Sequence, residues 1–253
     1  MSCTPSQHTS TGNRRPVLPH TSFISEQDRI TDVYRERNRL IPASRYSYFD
    51  TSNMLLVQSR ERAVLTSLKK HGLARLDNKR ILDIGCGNGG WLRDFTKWGA
   101  CPSLLHGVDL LPDRISYARR FCPPDVHLTC GNAAQLSYED GHFDIALQAT
   151  VFTSILDAGL QERVAAEMLR VVRSGGAILW YDFHVGNPRN PNVRAVKRRD
   201  IRRLFPNCSL DLQRVTLAPP IGRAVARWSI AAYWICETLP LLRTHYFGVI
   251  RKP

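Results

Sequence analysis

The sequence predicts an α/β fold built on a largely parallel sheet, and three observations predict it. From Arg80 to Phe183 short apolar runs alternate with helix-length segments, the pattern of βαβ units. The first of those runs passes straight into a glycine-rich turn and then a helix. The length of 253 residues, 43% of them hydrophobic, suits one such domain with additions better than two domains.

The elements follow in order. Residues 1–25 are rich in Ser and Thr, hold Arg14 and Arg15, and have no acid before Glu26. A disordered tail is expected there, and no secretory leader, because an apolar core segment is missing. Residues 26–41 read as a charged helix, followed by a loop with Tyr46, Tyr48 and Phe49. Residues 53–71 read as an amphipathic helix on the spacing of Leu55, Leu56, Ser59, Val64, Leu65 and Leu68, with Gly72 as its C-cap. The apolar runs 81–85, 104–110, 126–130, 143–149 and 177–183 then read as strands. Helices are expected between them at 89–99, 112–121 and 158–173, and Ser174-Gly175-Gly176 turns the chain into the fifth strand. After an irregular stretch comes a basic segment, 194–205, in which Arg194, Arg198 and Arg202 are spaced to share a helix face. A sixth strand is expected at 208–217, an apolar helical insertion at 222–239 stopped by Pro240, and a last strand at 244–252.

The totals narrow the function. The net charge of +13 suits an anionic partner or an ordinary basic protein. The seven cysteines (Cys3, Cys86, Cys101, Cys122, Cys130, Cys208 and Cys236) are odd in number and scattered, with no CxxC. That argues against a disulfide framework and against a metal site, and suits a reducing cytoplasm, with a peripheral place at a membrane left open.

The strongest local signal is Ile81-Leu82-Asp83-Ile84-Gly85-Cys86-Gly87-Asn88-Gly89-Gly90. Glycines allow the tight turn and let a ligand approach the backbone, and the helix start offers N–H groups to a carboxylate. The glycine spacing alone also fits a dinucleotide site. Asp83 decides between them: an acid ending the first strand favours a cationic ligand with an amino group and a sulfonium over a pyrophosphate.

This segment resembles motif I of the class I S-adenosylmethionine-dependent methyltransferases, of the small-molecule type that includes ubiquinone-biosynthesis enzymes. Further segments resemble that family's pattern in order. Leu105-His106-Gly107-Val108-Asp109 is similar to the second strand, whose terminal acid binds both ribose hydroxyls. Cys130 to Leu136 is similar to the adenine-binding turn, with Asn132 where the family more often has Asp. Phe143 to Gln148 resembles strand four, and Leu169 to Gly176 the approach to strand five. The resemblance covers 60–185 closely. It implies a Rossmann-like, seven-stranded, mostly parallel sheet with helices on both faces and the last strand antiparallel. It also implies S-adenosylmethionine as cofactor, held by Asp83, Gly85, Cys86, Gly87, Asn88, Gly89, Asp109, Leu110, Asn132, Ala133 and Gln148. Residues 26–75 then form a helical cover, 76–185 the cofactor-binding core, and 186–253 the substrate side.

In this fold the acceptor lies over the ends of strands four and five. That puts Gln148, Thr150, Phe152, Thr153, Tyr181, Asp182 and His184 near the site, with His184, Asp182 and Tyr181 as catalytic candidates and Phe152 as a pocket wall; the alternatives are that Asp182 is structural, bonding loop N–H groups, and that Tyr181 and Phe152 belong to the core. His184 is either a base, since neutral imidazole accepts a proton near pH 7, or a loop residue without a role. Arg194 and Arg198 either hold an anionic group of the acceptor, meet a membrane surface or RNA through 194–203, or form a solvated face. The apolar insertion with Trp228, Tyr233 and Trp234 suits a lid, a membrane contact or core packing. The reading is transfer of a methyl group to O or C of a small-molecule acceptor, phosphorylated, glycan or lipid-linked. The alternatives are an RNA methyltransferase, which lacks a nucleic-acid module here, and a non-catalytic binder of the cofactor.

Overall fold

The computed structural model describes residues 25–188 and 190–253. The expected tail lies almost wholly outside the described residues. Seven strands form one sheet in the order β3-β2-β1-β4-β5-β7-β6. They are β1 (Ile81–Ile84), β2 (Leu105–Asp109), β3 (His127–Cys130), β4 (Phe143–Ala149), β5 (Val172–Phe183), β6 (Ser209–Leu217) and β7 (Arg243–Arg251). β1 to β5 pair in parallel. β7 runs antiparallel to both β5 and β6, so β6 shares the direction of the first five. The expected architecture is what the chain forms.

The helices are α1 (Glu26–Leu40), α2 (Thr51–Lys70), α3 (Gly90–Lys97), α4 (Pro112–Phe121), α5 (Ala158–Val171), α6 (Arg198–Leu204), α7 (Pro219–Ala226) and α8 (Ile230–Thr238). Side-chain caps fix several starts. Ser25 accepts from the Asp28 N–H, Asp50 from Asn53, Asp157 from Leu160 and Ser229 from Ala232, each satisfying a donor that the helix leaves unpaired.

Alternate residues of the central strands feed two cores. On one face Ile81, Leu105, Ile145 and Leu179 meet Val64 and Leu68 of α2 and Leu92 and Phe95 of α3. On the other, Leu82, Ile84, Ala146 and Trp180 meet Val164 and Met168 of α5 and Ile201 of α6. Burying strands on both faces explains why their sequences read as continuous apolar runs rather than alternating ones.

Three local expectations are corrected. β5 starts at Val172, not 177: Phe143 pairs with Val172 and Ile145 with Ala177, so the Ser174-Gly175-Gly176 turn is looped out within the strand, with Gly175 at φ +70°. Arg194 does not share a helix face with Arg198 and Arg202, because α6 begins only at Arg198. Arg194 lies in the preceding loop and gives its N–H to the Thr153 carbonyl. The insertion is not one helix; it breaks at Arg227 to Ser229, where the Ser229 side chain restarts it as α8.

Candidate functional site

The chain begins its sheet at β1, moves out to β3, then returns to place β4 on the other side of β1. Adjacent strands diverge there, and their C-terminal ends leave a crevice. A cleft of about 940 Å³ occupies it. Gly85, Leu110, Gly131 and Thr150, the residues directly following β1, β2, β3 and β4, are all in its wall.

The floor is built on Asp109. One carboxylate oxygen accepts the Gly87 N–H at 2.8 Å and the other the Leu111 N–H at 2.9 Å. This side chain therefore locks the glycine turn to the start of α4 while facing the cleft with lone pairs to spare. Gly85 and Cys86 give their N–H groups to the Val108 carbonyl, and Gly89 gives its own to Cys86. Four turn N–H groups are thus taken by the protein itself. The Cys86, Asn88 and Gly89 carbonyls are taken as well, by Gly89, Arg93 and Cys122, so the turn is fixed by its own bonds before any ligand arrives. Gly85 sits at φ +69°, and a Cβ there would lie 2.5 Å from Val151 Cγ2, so only glycine fits.

Asp83 is buried on the α3 face, both carboxylate oxygens lack a hydrogen-bond partner, and it is not a wall residue. Burial, and after it the charge of Asp109, push its pKa well up. The charge of Arg60 offsets this only in part, and a cation bound nearby would favour the charged form further. Asn132 and Ala133 stand in the wall beside Leu110. The Asn132 side-chain oxygen accepts the Ala134 N–H at 2.9 Å, so it shapes the turn as well as edging the cleft. Asn88 is also in the wall; Cys86, Gly87, Gly89 and Gln148 are not. Gln148 is wholly buried and accepts the Val151 N–H, holding the loop after β4 against the glycine turn.

The roof comes from α1 and the segment after it. Gln27, Ile30, Tyr34, Arg37 and Ile41 line the cleft, as do Tyr46 and Tyr48. The Tyr34 hydroxyl shares a hydrogen bond with Ser154 (2.8 Å), and Arg29 donates to the Ser154 carbonyl. Glu26 accepts the Leu156 and Asp157 N–H groups. On the other side the Arg114 guanidinium lies 4.2 Å from the Tyr34 ring centre, a cation–π contact that bridges the cleft from α4 to α1. Thr150, a β-branched residue at φ +60°, stands at the junction of floor and roof, where it accepts from Ser154.

Residues 81–176 match the family model described as a methyltransferase domain. The chain is 27% identical over 179 residues to 2-methyl-6-phytyl-1,4-hydroquinone methyltransferase of Synechocystis sp., covering 68% of this chain and 54% of that protein. It is 32% identical over 113 residues to phthiotriol/phenolphthiotriol dimycocerosates methyltransferase 1 of Mycobacterium ulcerans, covering 44% and 40%. The chain carries a methyltransferase domain and is similar to S-adenosylmethionine-dependent methyltransferases. It therefore spans about half, or less, of the length of these relatives. A SAM-dependent methyltransferase structure from Archaeoglobus fulgidus shares its fold, with a TM-score of 0.54 at 16% identity over 79% of this chain and 98% of that one.

The methyltransferase domain fits its cofactor. Asp83 and Asp109 would suit an ammonium and a sulfonium, and Leu110 and Ala133, together in the wall, would suit the face of an adenine. Of the expected acceptor-side residues Thr150 reaches the cleft wall, and Gln148, Phe152, Thr153, Tyr181, Asp182 and His184 do not. Tyr181 is buried on the opposite core, bonded to the Thr216 hydroxyl and stacked on His245; burial raises its pKa. Asp182 is wholly buried and accepts from the Thr153 hydroxyl and N–H and from the Phe183 N–H. Burial pushes it up to about 7 against those bonds, and its role is to fix the loop that carries Thr150 and Ser154. His184 stacks on Tyr246, away from the wall, and burial, then Arg214, lower its pKa. Phe152 is wholly buried between Trp180 and Phe205. Arg194 and Arg198 are exposed and outside the wall, and the 219–238 insertion contributes no wall residue. The sequence predicts a helical cover from 26–75 but does not single out the residues of 26–41 that line the cleft. The α1 wall residues Ile30, Tyr34, Arg37 and Ile41 recur at three- and four-residue spacing, one helix face that its many charges obscured.

Proposed function

We propose that this chain transfers a methyl group from S-adenosylmethionine to an oxygen or carbon atom of a small, largely apolar acceptor. The observation that carries the reading is the split character of one cleft: a polar floor built on Asp109 under a roof of Ile30, Tyr34, Ile41, Tyr46 and Tyr48. The phytyl hydroquinone named for the first relative is an acceptor of this kind.

The bound cofactor supplies a methyl group on a sulfonium whose departure leaves a neutral thioether. The residues of the chain then have two tasks, alignment and exclusion of water. Asp109 and the turn it locks hold one end of the cleft rigid. Tyr34, tied to both Ser154 and Arg114, closes the cleft from above and offers its ring to a flat acceptor. The cleft wall has no histidine; its carboxylates are Asp109 and Asp113. The reaction this site favours therefore uses an acceptor that is already nucleophilic near neutral pH, such as a hydroquinone, and gains its rate from positioning. An anionic group on the acceptor meets Arg37 or Arg93 in the wall, not Arg194 or Arg198.

The test is incubation of the purified chain with methyl-labelled S-adenosylmethionine and prenylated hydroquinones, sterols and phosphorylated sugars in parallel. Label is expected in the apolar acceptors. Cofactor binding without transfer to any of them would favour a non-catalytic binder, and transfer to the sugars alone would contradict the apolar assignment.

A further inference from the structure

The edge of the sheet on which the cleft opens carries a second feature that methyl transfer does not use. Between β6 and β7 the chain makes α7, α8 and a short helical turn, Pro240–Leu242. Because β6 runs parallel to β1–β5, this excursion leaves from the same C-terminal edge as the cleft. Its inner side is packed: Ala226 and Tyr233 are buried with Leu55 of α2 and Leu217. Its outer side is bare. Trp228, in the turn between the helices, is 90% exposed, Leu241 is 88% exposed, and Ile235 is exposed on α8. The one charged side chain of α8, Glu237, points inward, buried and paired with Arg62. A helix with apolar residues outside and its charge inside reverses the order that water imposes.

The segment before α2 extends this face. Phe49 is fully exposed, and Asp50 beside it caps α2. Met54 and Leu55, in the first turns of α2, pack with Val225 and Ala226 at the end of α7, which brings the start of α2 beside the turn that holds Arg227 and Trp228. The acids of residues 40–50 and 219–243 are Asp50 and Glu237, and both are engaged within the fold. Arg45, Arg223 and Arg227 leave the face cationic.

Apolar side chains ringed by arginines, with a fully exposed tryptophan, match the headgroup boundary of an anionic bilayer. A second copy of the chain is a poorer match, since a two-fold contact sets the arginines of the patch against themselves. No helix among the described residues is long and apolar enough to cross a membrane, so the contact is with the surface. We propose that this face, with Phe49, Trp228, Ile235 and Leu241 inserted and Arg45, Arg223 and Arg227 at headgroup level, docks the protein on an anionic lipid bilayer. The docking stands apart from methyl transfer. Its consequence, which does rest on the proposed function, is that the mouth walled by Tyr46 and Tyr48 faces the lipid, so that an apolar acceptor enters without crossing water.

The experiment is flotation with vesicles of equimolar phosphatidylglycerol and phosphatidylcholine, and with phosphatidylcholine alone. It compares the wild type, Trp228→Glu/Leu241→Glu and Arg223→Ser/Arg227→Ser. The wild type is expected to float with the anionic vesicles and not with the neutral ones, and each double variant to bind about tenfold more weakly or worse. S-adenosylmethionine titrated into all three should bind alike, which shows the variants folded and keeps failure of docking separate from failure of the cofactor site. Failure of the wild type to float, equal flotation of wild type and both variants, or a wild-type dimer that Trp228→Glu/Leu241→Glu dissolves without any vesicle binding would overturn the proposal.

Discussion

The floor and the roof of the cleft are built differently. The floor is backbone held by backbone and by one buried carboxylate: Gly85, Cys86, Gly87 and Gly89 all bond within the protein, and Asp109 ties two turns together. The roof is an exposed, charge-rich helix held by contacts at Glu26, Arg29 and Tyr34. Rigidity is placed at the glycine turn and Asp109, where S-adenosylmethionine would sit. The side that decides which acceptor enters is fastened by a handful of polar contacts, and such regions open locally at low free-energy cost.

The largest expected effect is on the floor. Gly85→Ala puts a Cβ into Val151 at a left-handed φ and should cost about 3 kcal/mol of stability by chemical denaturation. Val151→Ala in the same chain should recover part of that loss. If Gly85→Ala were harmless, the floor would not be the rigid half.

The same contrast explains what could be read from the sequence. The strands and the glycine turn were legible because burial on both faces and left-handed turns restrict residue type to apolar side chains and glycine. Asp109 was legible as a ligand acid, though its grip on Gly87 and Leu111 was not. Asp182, His184 and Phe152 stand at the right strand ends, but Asp182 is turned into the core at the end of β5, Phe152 is buried against Trp180 and Phe205 in the helical turn after β4, and His184 stacks on Tyr246. Sequence position places a residue near a site; side-chain direction is decided by packing that only the folded chain supplies.

A smaller effect belongs to the opposite end of the sheet. His106, near the start of β2, is held neutral: burial first, then His127 and His142, push its pKa down to about 4. The unfolded chain protonates this group near pH 6.5, so between those values it binds more protons than the folded one. Stability from this group is therefore full above pH 6.5 and falls as the pH drops toward 4. The loss should be on the order of 1 kcal/mol, reduced by partial exposure, and His106→Phe should flatten it in denaturation curves across that range. Cofactor affinity should not follow the same change, since His106 is not in the cleft wall.

The smallest expected effect is on the roof. Tyr34→Phe removes the bond to Ser154 and should cost roughly 1 kcal/mol or less in stability. Its signature is kinetic: the KM for acceptor should rise severalfold while cofactor affinity holds. A change in cofactor affinity as large as that in acceptor KM would erase the distinction between the two halves.

The most direct measurement is calorimetric titration of S-adenosylmethionine into the wild type and into Asp109→Ala, with NAD as a competitor and thermal unfolding as a check on the fold. Saturable binding by the wild type, indifference to NAD, and a loss of at least about a hundredfold in affinity in the variant are expected. Binding that survives Asp109→Ala unchanged, or that NAD displaces, would contradict a cofactor site built on that carboxylate.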